Sequence, residues 1–166
     1  MLIIIEGADK NGKTTLASHI SERHGYNYIH HGPPRNGYMG YMDEILDLKN
    51  KTVMDRSFIG EMIYGPLLRG RSCIDNNQFD CLLKLSDVLN GVVIHCHQSD
   101  ETKRLWHVDD KELKIDWTMN IKAAKRFEVL MECEVKPRIK VIDYNANTLK
   151  DMDKFVDKLI KEINHE

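Results

Sequence analysis

Short apolar runs alternate along this chain with stretches of helical periodicity. Leu2–Glu6 reads as a first strand, and the spacing predicts a helix over 14–24, with Leu16 and Ile20 one turn apart and Gly25 as its stop signal. Residues 26–31 read as a second strand that ends at Gly32-Pro33-Pro34. Tyr38, Tyr41, Met42, Ile45, Leu46 and Lys49 fall on helical spacing, and Thr52–Asp55 is a third strand. Ile59, Met62 and Ile63 begin a helix that Gly65-Pro66 is expected to kink or end. Asp75 can cap a further helix bearing Phe79, Leu82, Leu83 and Leu89, with Gly91 as its breaker and 92–96 as a fourth strand. Ser99-Asp100-Glu101 signals a short helix to Trp106; a polar stretch over 107–116 then precedes a helix over 117–134. Residues 139–142 form a fifth strand, and the closing segment 148–163 sets Leu149, Met152, Phe155, Val156, Leu159, Ile160 and Ile163 on one apolar face. Strands separated by helices in this order predict an α/β fold with a mostly parallel sheet.

Composition refines this reading. A length of 166 residues predicts one domain over 1–166, and 42% apolar with 30% charged residues is the make-up of a globular protein. A net charge of −2 argues against stable nucleic-acid binding and leaves local positive potential for a small anionic substrate. The apolar N-terminus is too short to span a membrane and lacks the basic region and cleavage site of a signal peptide, so no membrane partner is expected. Four cysteines, Cys73, Cys81, Cys96 and Cys133, lie without framework spacing, which predicts reduced thiols in the cytoplasm. His95 and His97 would share a strand face, but no third and fourth ligands follow at closed-site spacing, so no metal centre is read there or at His30-His31. Asp109-Asp110-Lys111-Glu112 reads as a solvated loop.

The chemistry is concentrated at one place. Gly7-Ala8-Asp9-Lys10-Asn11-Gly12-Lys13-Thr14 matches G-x-x-x-x-G-K-[ST] at every fixed position, with a strand running in and a helix running out. Glycines let the backbone curl so that several N–H groups converge on phosphate oxygens, and the helix adds its positive end. The motif assigns Lys13 to the β- and γ-phosphates of ATP and the Thr14 hydroxyl to Mg²⁺. Regulatory GTPases would carry Asn-Lys-x-Asp near the fourth strand, where this chain reads His95-Cys96-His97-Gln98. Large motor ATPases need a longer chain.

The segment Ile4-Ile5-Glu6-Gly7-Ala8-Asp9-Lys10-Asn11-Gly12-Lys13-Thr14-Thr15 resembles the opening of a thymidylate kinase. Val53-Met54-Asp55-Arg56-Ser57-Phe58 is similar to the family's strand-ending Asp-Arg-Tyr segment, and Gly32-Pro33-Pro34-Arg35 to its Pro-x-Arg loop. The resemblance implies a three-layer P-loop kinase fold, with a five-stranded parallel sheet flanked by helices and a short lid at about 104–116. It implies that Asp9 bonds a deoxyribose 3′-hydroxyl and that Arg56 and Arg35 hold the acceptor phosphate, as two anions brought together require. Asp55 would bind Mg²⁺ through water or orient Arg56, and Lys10 stands where one branch of the family directs an arginine at the transferred phosphoryl. Arg104 is the guanidinium nearest the lid, which otherwise offers lysines and His107. Phe58, Tyr64 and Arg69 would line the base pocket, with Tyr64 packing on the base. Asn11, Gly12 and Thr15 complete the ATP-binding loop, and Tyr144 and Ala146 fall where family members cradle adenine. Ser57 departs from the family's usual tyrosine.

Together these readings predict ATP- and Mg²⁺-dependent phosphorylation of a deoxynucleoside 5′-monophosphate, dTMP or a modified pyrimidine analogue. The partner is a small nucleotide, and the resemblance implies a homodimer. The alternatives are a deoxynucleoside kinase or a kinase of hydroxyl ends in DNA. A hydroxyl acceptor wants a carboxylate base near the end of the second strand, where Ile29-His30-His31-Gly32 supplies none and leaves Asp9 or Asp55 to serve, and the balanced charge argues against the DNA version. A non-catalytic ATP-binding protein ranks below both.

Overall fold

The computed structural model describes residues 1–32, 36–48, 51–98, 116–145 and 149–164. Five strands are β1 (Leu2–Glu6), β2 (Asn27–His30), β3 (Thr52–Asp55), β4 (Gly91–His97) and β5 (Lys140–Asn145). Among the described residues the α-helices are α1 (Lys13–His24), α2 (Gly37–Leu46), α3 (Phe58–Arg69), α4 (Asn76–Val88), α5 (Trp117–Leu130) and α6 (Leu149–Asn164). All strand pairings are parallel, in the order β2-β3-β1-β4-β5. The central β1 is buried on both faces, which is why Leu2-Ile3-Ile4-Ile5 reads as an unbroken apolar run.

The pleat divides these side chains between two cores. Leu2 and Ile4 join Met54, Val93 and the apolar stripes of α2, α3, α4 and α5. Ile3 and Ile5 join Val53, Val92, Ile94 and the stripes of α1 and α6. The result is a three-layer α/β/α arrangement. Because β3 and β4 flank β1, the chain leaves the sheet in opposite directions on either side of it, and a crevice opens at the carboxyl ends of these strands.

Several boundaries differ from the sequence reading. Helix α3 runs unbroken through Pro66, whose missing N–H removes a single rung while the apolar stripe Ile59, Ile63 stays seated in the core. Gly91 begins β4 rather than ending α4; Asn90 takes the left-handed turn, with φ 53°. Helix α5 ends four residues before the predicted 134 and passes into a π turn, Met131–Val135, closed by Lys136 N–H donating to the Met131 carbonyl. Strand β5 extends past Ile142 to Asn145 because β4 offers partners as far as His97. The short helix expected over 99–106 and nearly all of the lid expected over about 104–116 lie outside the described residues. Asp116 caps α5, its Oδ1 accepting from Met119 N–H at 2.7 Å.

Candidate active site

The phosphate loop leaves β1 under tight constraint. Gly7 has φ 143°, and a Cβ there would drive into the Cys96 carbonyl oxygen of β4. The same carbonyl accepts from Asn11 Nδ2 at 2.7 Å, so the loop is seated against the end of β4. Lys10 and Gly12 both take left-handed conformations, φ 66° and 76°, which turn the loop back toward α1. Helix α1 starts without a side-chain cap hydrogen bond, leaving first-turn N–H groups facing the crevice. Lys13 is buried and donates to the Ala8 carbonyl at 2.7 Å, with Asp9 Oδ1 3.9 Å away. Burial lowers its pKa more than the Asp9 charge restores it. Thr15 is exposed on the first turn of α1.

Asp9 gathers the next set of groups. Its Oδ1 accepts from Arg56 Nη2 at 2.9 Å and from the Tyr64 hydroxyl at 3.3 Å, while Asn120 Nδ2 on α5 donates to its backbone carbonyl at 3.0 Å. Arg56 sits between β3 and α3 with φ 72°, and its side chain is 40% exposed. Its Nε is buried with no acceptor among the described residues. The turn that holds it is clamped by Glu6, which ends β1: Glu6 Oε1 accepts from Ser57 Oγ at 2.8 Å and Gly60 N–H at 3.0 Å. Burial raises the Glu6 pKa despite these bonds and the nearby Lys13 and Arg56 charges.

Asp55, fully buried at the end of β3, forms a second centre. Its Oδ2 accepts from Thr14 Oγ1 at 2.7 Å and the Tyr28 hydroxyl at 3.1 Å, and His30 Nδ1 lies 2.9 Å away. Burial pushes this carboxyl up, but the bonds from Thr14, His30 and Tyr28 outweigh it and hold the pKa below the usual value. Burial and the Asp55 charge push the Tyr28 phenol up to about 12, so it stays a donor at neutral pH. Asp55 Oδ1 is buried with no partner among the described residues. A hydroxyl and a bare carboxylate oxygen are the hard donors Mg²⁺ takes, its remaining positions going to water and phosphate, so the residues present fit that ion. Among the described residues no group of three or more His, Cys, Asp and Glu gathers around a metal position.

The other predicted residues are placed differently. Tyr64 packs edge-on against Phe127 and reaches Asp9 with its hydroxyl. Phe58 is buried in the core between Tyr41 and Phe79, and Arg69 spans both oxygens of Glu61. Tyr144 is buried against Phe155, with ring centroids 4.5 Å apart. Ser57 points at Glu6 and caps α3, accepting from Ile59 N–H. Arg35, Arg104 and Ala146 lie outside the described residues. His95 pairs with Asp143 at 3.2 Å, and its ring faces Phe127. Sequence reasoning missed Glu6, Tyr28, His30 and Asn120 as parts of the site. Asn120 left a signal, a polar residue on the buried face marked by Ala123, Ala124 and Phe127.

No protein-family model matches this sequence, and no curated protein does. Solved structures do match. The YorR protein of Bacillus subtilis, in complex with phosphorylated GDP, superposes with a TM-score of 0.80 at 15% identity, over 99% of this chain and 96% of that one. Deoxyadenosine kinase from M. mycoides, with dCMP and dCDP, gives 0.64 at 17% identity over 99% of both chains. Thymidylate kinase from Candida albicans gives 0.54 at 16% identity, over 99% of this chain and 91% of that one. The chain thus has the fold of the P-loop nucleotide kinases, a five-stranded parallel sheet between helices. Among the described residues no helix is long and apolar enough to cross a membrane.

Proposed function

We propose that the protein transfers the γ-phosphoryl group of ATP to a deoxynucleoside 5′-monophosphate, dTMP or a modified pyrimidine analogue. The observation that carries this reading is the Arg56–Asp9 pair beside the phosphate loop, with Arg56 Nε lacking an acceptor among the described residues. A dianionic acceptor needs a cation to offset its repulsion from the donor, and a guanidinium fork suits it. Asp9 supplies a carboxylate for a sugar hydroxyl. An acceptor phosphate is already an oxyanion, so no general base is required.

The loop amides and Lys13 hold the donor phosphates, with phosphate oxygen replacing the Ala8 carbonyl as the Lys13 acceptor. Thr14 and Asp55 would hold Mg²⁺, which neutralises charge on the phosphates and aligns them. An acceptor oxygen then attacks the γ-phosphorus, its bond to the bridging oxygen breaks, and ADP leaves. Arg35 and Arg104 are the sequence's further candidates for cations here.

A second reading is phosphorylation of a deoxynucleoside 5′-hydroxyl. The fuller superposition on deoxyadenosine kinase than on thymidylate kinase favours it. Against it, β2 itself ends at His30, with His31 next, rather than at an acidic residue, which leaves the role of base to Asp9 or to Asp55, 2.9 Å from His30. One assay separates the two: ADP release with ATP, Mg²⁺ and a panel of nucleosides, monophosphates and oligonucleotides. Stimulation by deoxynucleoside monophosphates, lost by about 10²-fold in kcat/KM on Arg56→Ala, supports the lead. Stimulation by nucleosides alone selects the second reading, and none by any acceptor leaves a nucleotide-binding protein.

A further inference from the structure

The donors around Asp55 are distributed unevenly. Thr14, Tyr28 and His30 all converge on Oδ2, while Oδ1, equally buried, meets none among the described residues. A buried carboxylate serving only to hold the fold would be expected to spread its donors over both oxygens. Two of these donors come from β2, the edge strand, where residues two apart share a face and Tyr28 and His30 both reach Asp55. His30 is half exposed, so burial of its own ring does not account for its position. Tyr28 packs only partly against the core.

We propose that Tyr28 and His30 are positioning residues for the metal: they fix the Asp55 carboxylate by Oδ2 so that Oδ1 is presented, preoriented, to a divalent cation bound with ATP. The Thr14 hydroxyl donates to Oδ2 in the ligand-free site and is released to the cation when it binds, leaving Tyr28 and His30 to hold the carboxylate alone. Partners of this kind orient a ligand and tune a metal site in proportion to the order they impose. The inference rests on the ATP-binding part of the proposed function and is independent of which acceptor is used.

The test reads metal affinity directly. Mn²⁺, as a paramagnetic substitute for Mg²⁺, is titrated by electron paramagnetic resonance into the full chain saturated with a non-hydrolysable ATP analogue. Affinity for the analogue alone is measured in EDTA. The Tyr28→Phe/His30→Ala protein should bind Mn²⁺ about 10- to 100-fold more weakly than wild type, with metal-free nucleotide affinity unchanged. Tyr28→Phe, which keeps the ring and its packing, should show part of that loss. His30→Gln, whose amide can still donate to Oδ2, should recover most of it, and Asp55→Asn sets the floor. Mn²⁺ affinity within about twofold of wild type in the double variant and in Tyr28→Phe, or equal loss of metal-free nucleotide binding, overturns the inference. If wild type releases ADP with an acceptor while those results stand, the proposed function survives without it. If wild type releases none but the metal losses appear, the reverse holds.

Discussion

At the scale of single residues the site runs on two strained or costly choices. Arg56 is a β-carbon-bearing residue at φ 72°, a conformation that costs it free energy that glycine would not spend. Arg56→Gly and Arg56→Ala both remove the guanidinium, so both should lose activity alike, yet the glycine variant should be more stable than the alanine one by about 1 kcal/mol in urea denaturation. Glu6 is the second choice. Its folded pKa is raised above the unfolded value, so the folded state holds more protons in the window just above pH 4.5. The stability it contributes is therefore full below that value and is lost as pH rises through the folded pKa. Glu6→Gln keeps an acceptor for Ser57 and Gly60, and its stability relative to wild type should rise from about pH 4 to pH 7 in paired denaturation curves. A flat difference would mean that the carboxyl titrates alike in both states. Neither feature was visible from composition: Glu6 looked like part of a motif, and the left-handed turn at Arg56 follows from the clamp around it rather than from any local sequence preference.

At the scale of elements, the sequence was most informative where a local rule acts alone. Asp75 and Gln78 form a reciprocal capping box at the start of α4, as the Asp75 signal promised. Asp75→Ala should lower stability by about 1 kcal/mol, seen as a shift in the urea midpoint without a change in slope, and should leave nucleotide affinity intact. Where tertiary packing competes, local rules lost. Pro66 did not stop α3, because the seated stripe on either side outweighs one missing rung. The π turn after α5 is closed by a backbone bond from Lys136 to Met131 that no side-chain pattern announces. Phe58, Tyr64 and Arg69 share α3, yet the rotation of that helix sends Phe58 into the core, brings Tyr64 to Asp9 and leaves Arg69 on Glu61.

For the whole molecule, strand alternation was enough to foretell a mostly parallel α/β sheet, since burial on both faces leaves an unmistakable apolar run, and the family resemblance added the three layers. The companions of the loop were harder. Glu6 on β1, Tyr28 and His30 on β2, and Asn120 on α5 come from three separate elements and meet only after folding, so no spacing links one element's residues to another's. The loop's role sets a global expectation. Anything that binds the folded state alone stabilises it by mass action, about 2.7 kcal/mol at a hundred times the dissociation constant. ATP with Mg²⁺ should then raise the melting temperature by about 5–10 °C in a fluorimetric scan, and Lys13→Ala should abolish most of that rise while still folding.

The Cys96 carbonyl has a wider consequence. One oxygen at the rim of β4 both denies space to a side chain at Gly7 and receives the amide of Asn11, and β4 runs on from it to His97. The mould in which phosphate is cast is thus made partly by a neighbouring strand. A substitution that nudges that strand's tip by a fraction of an ångström would loosen the grip on nucleotide well before it unsettled the core.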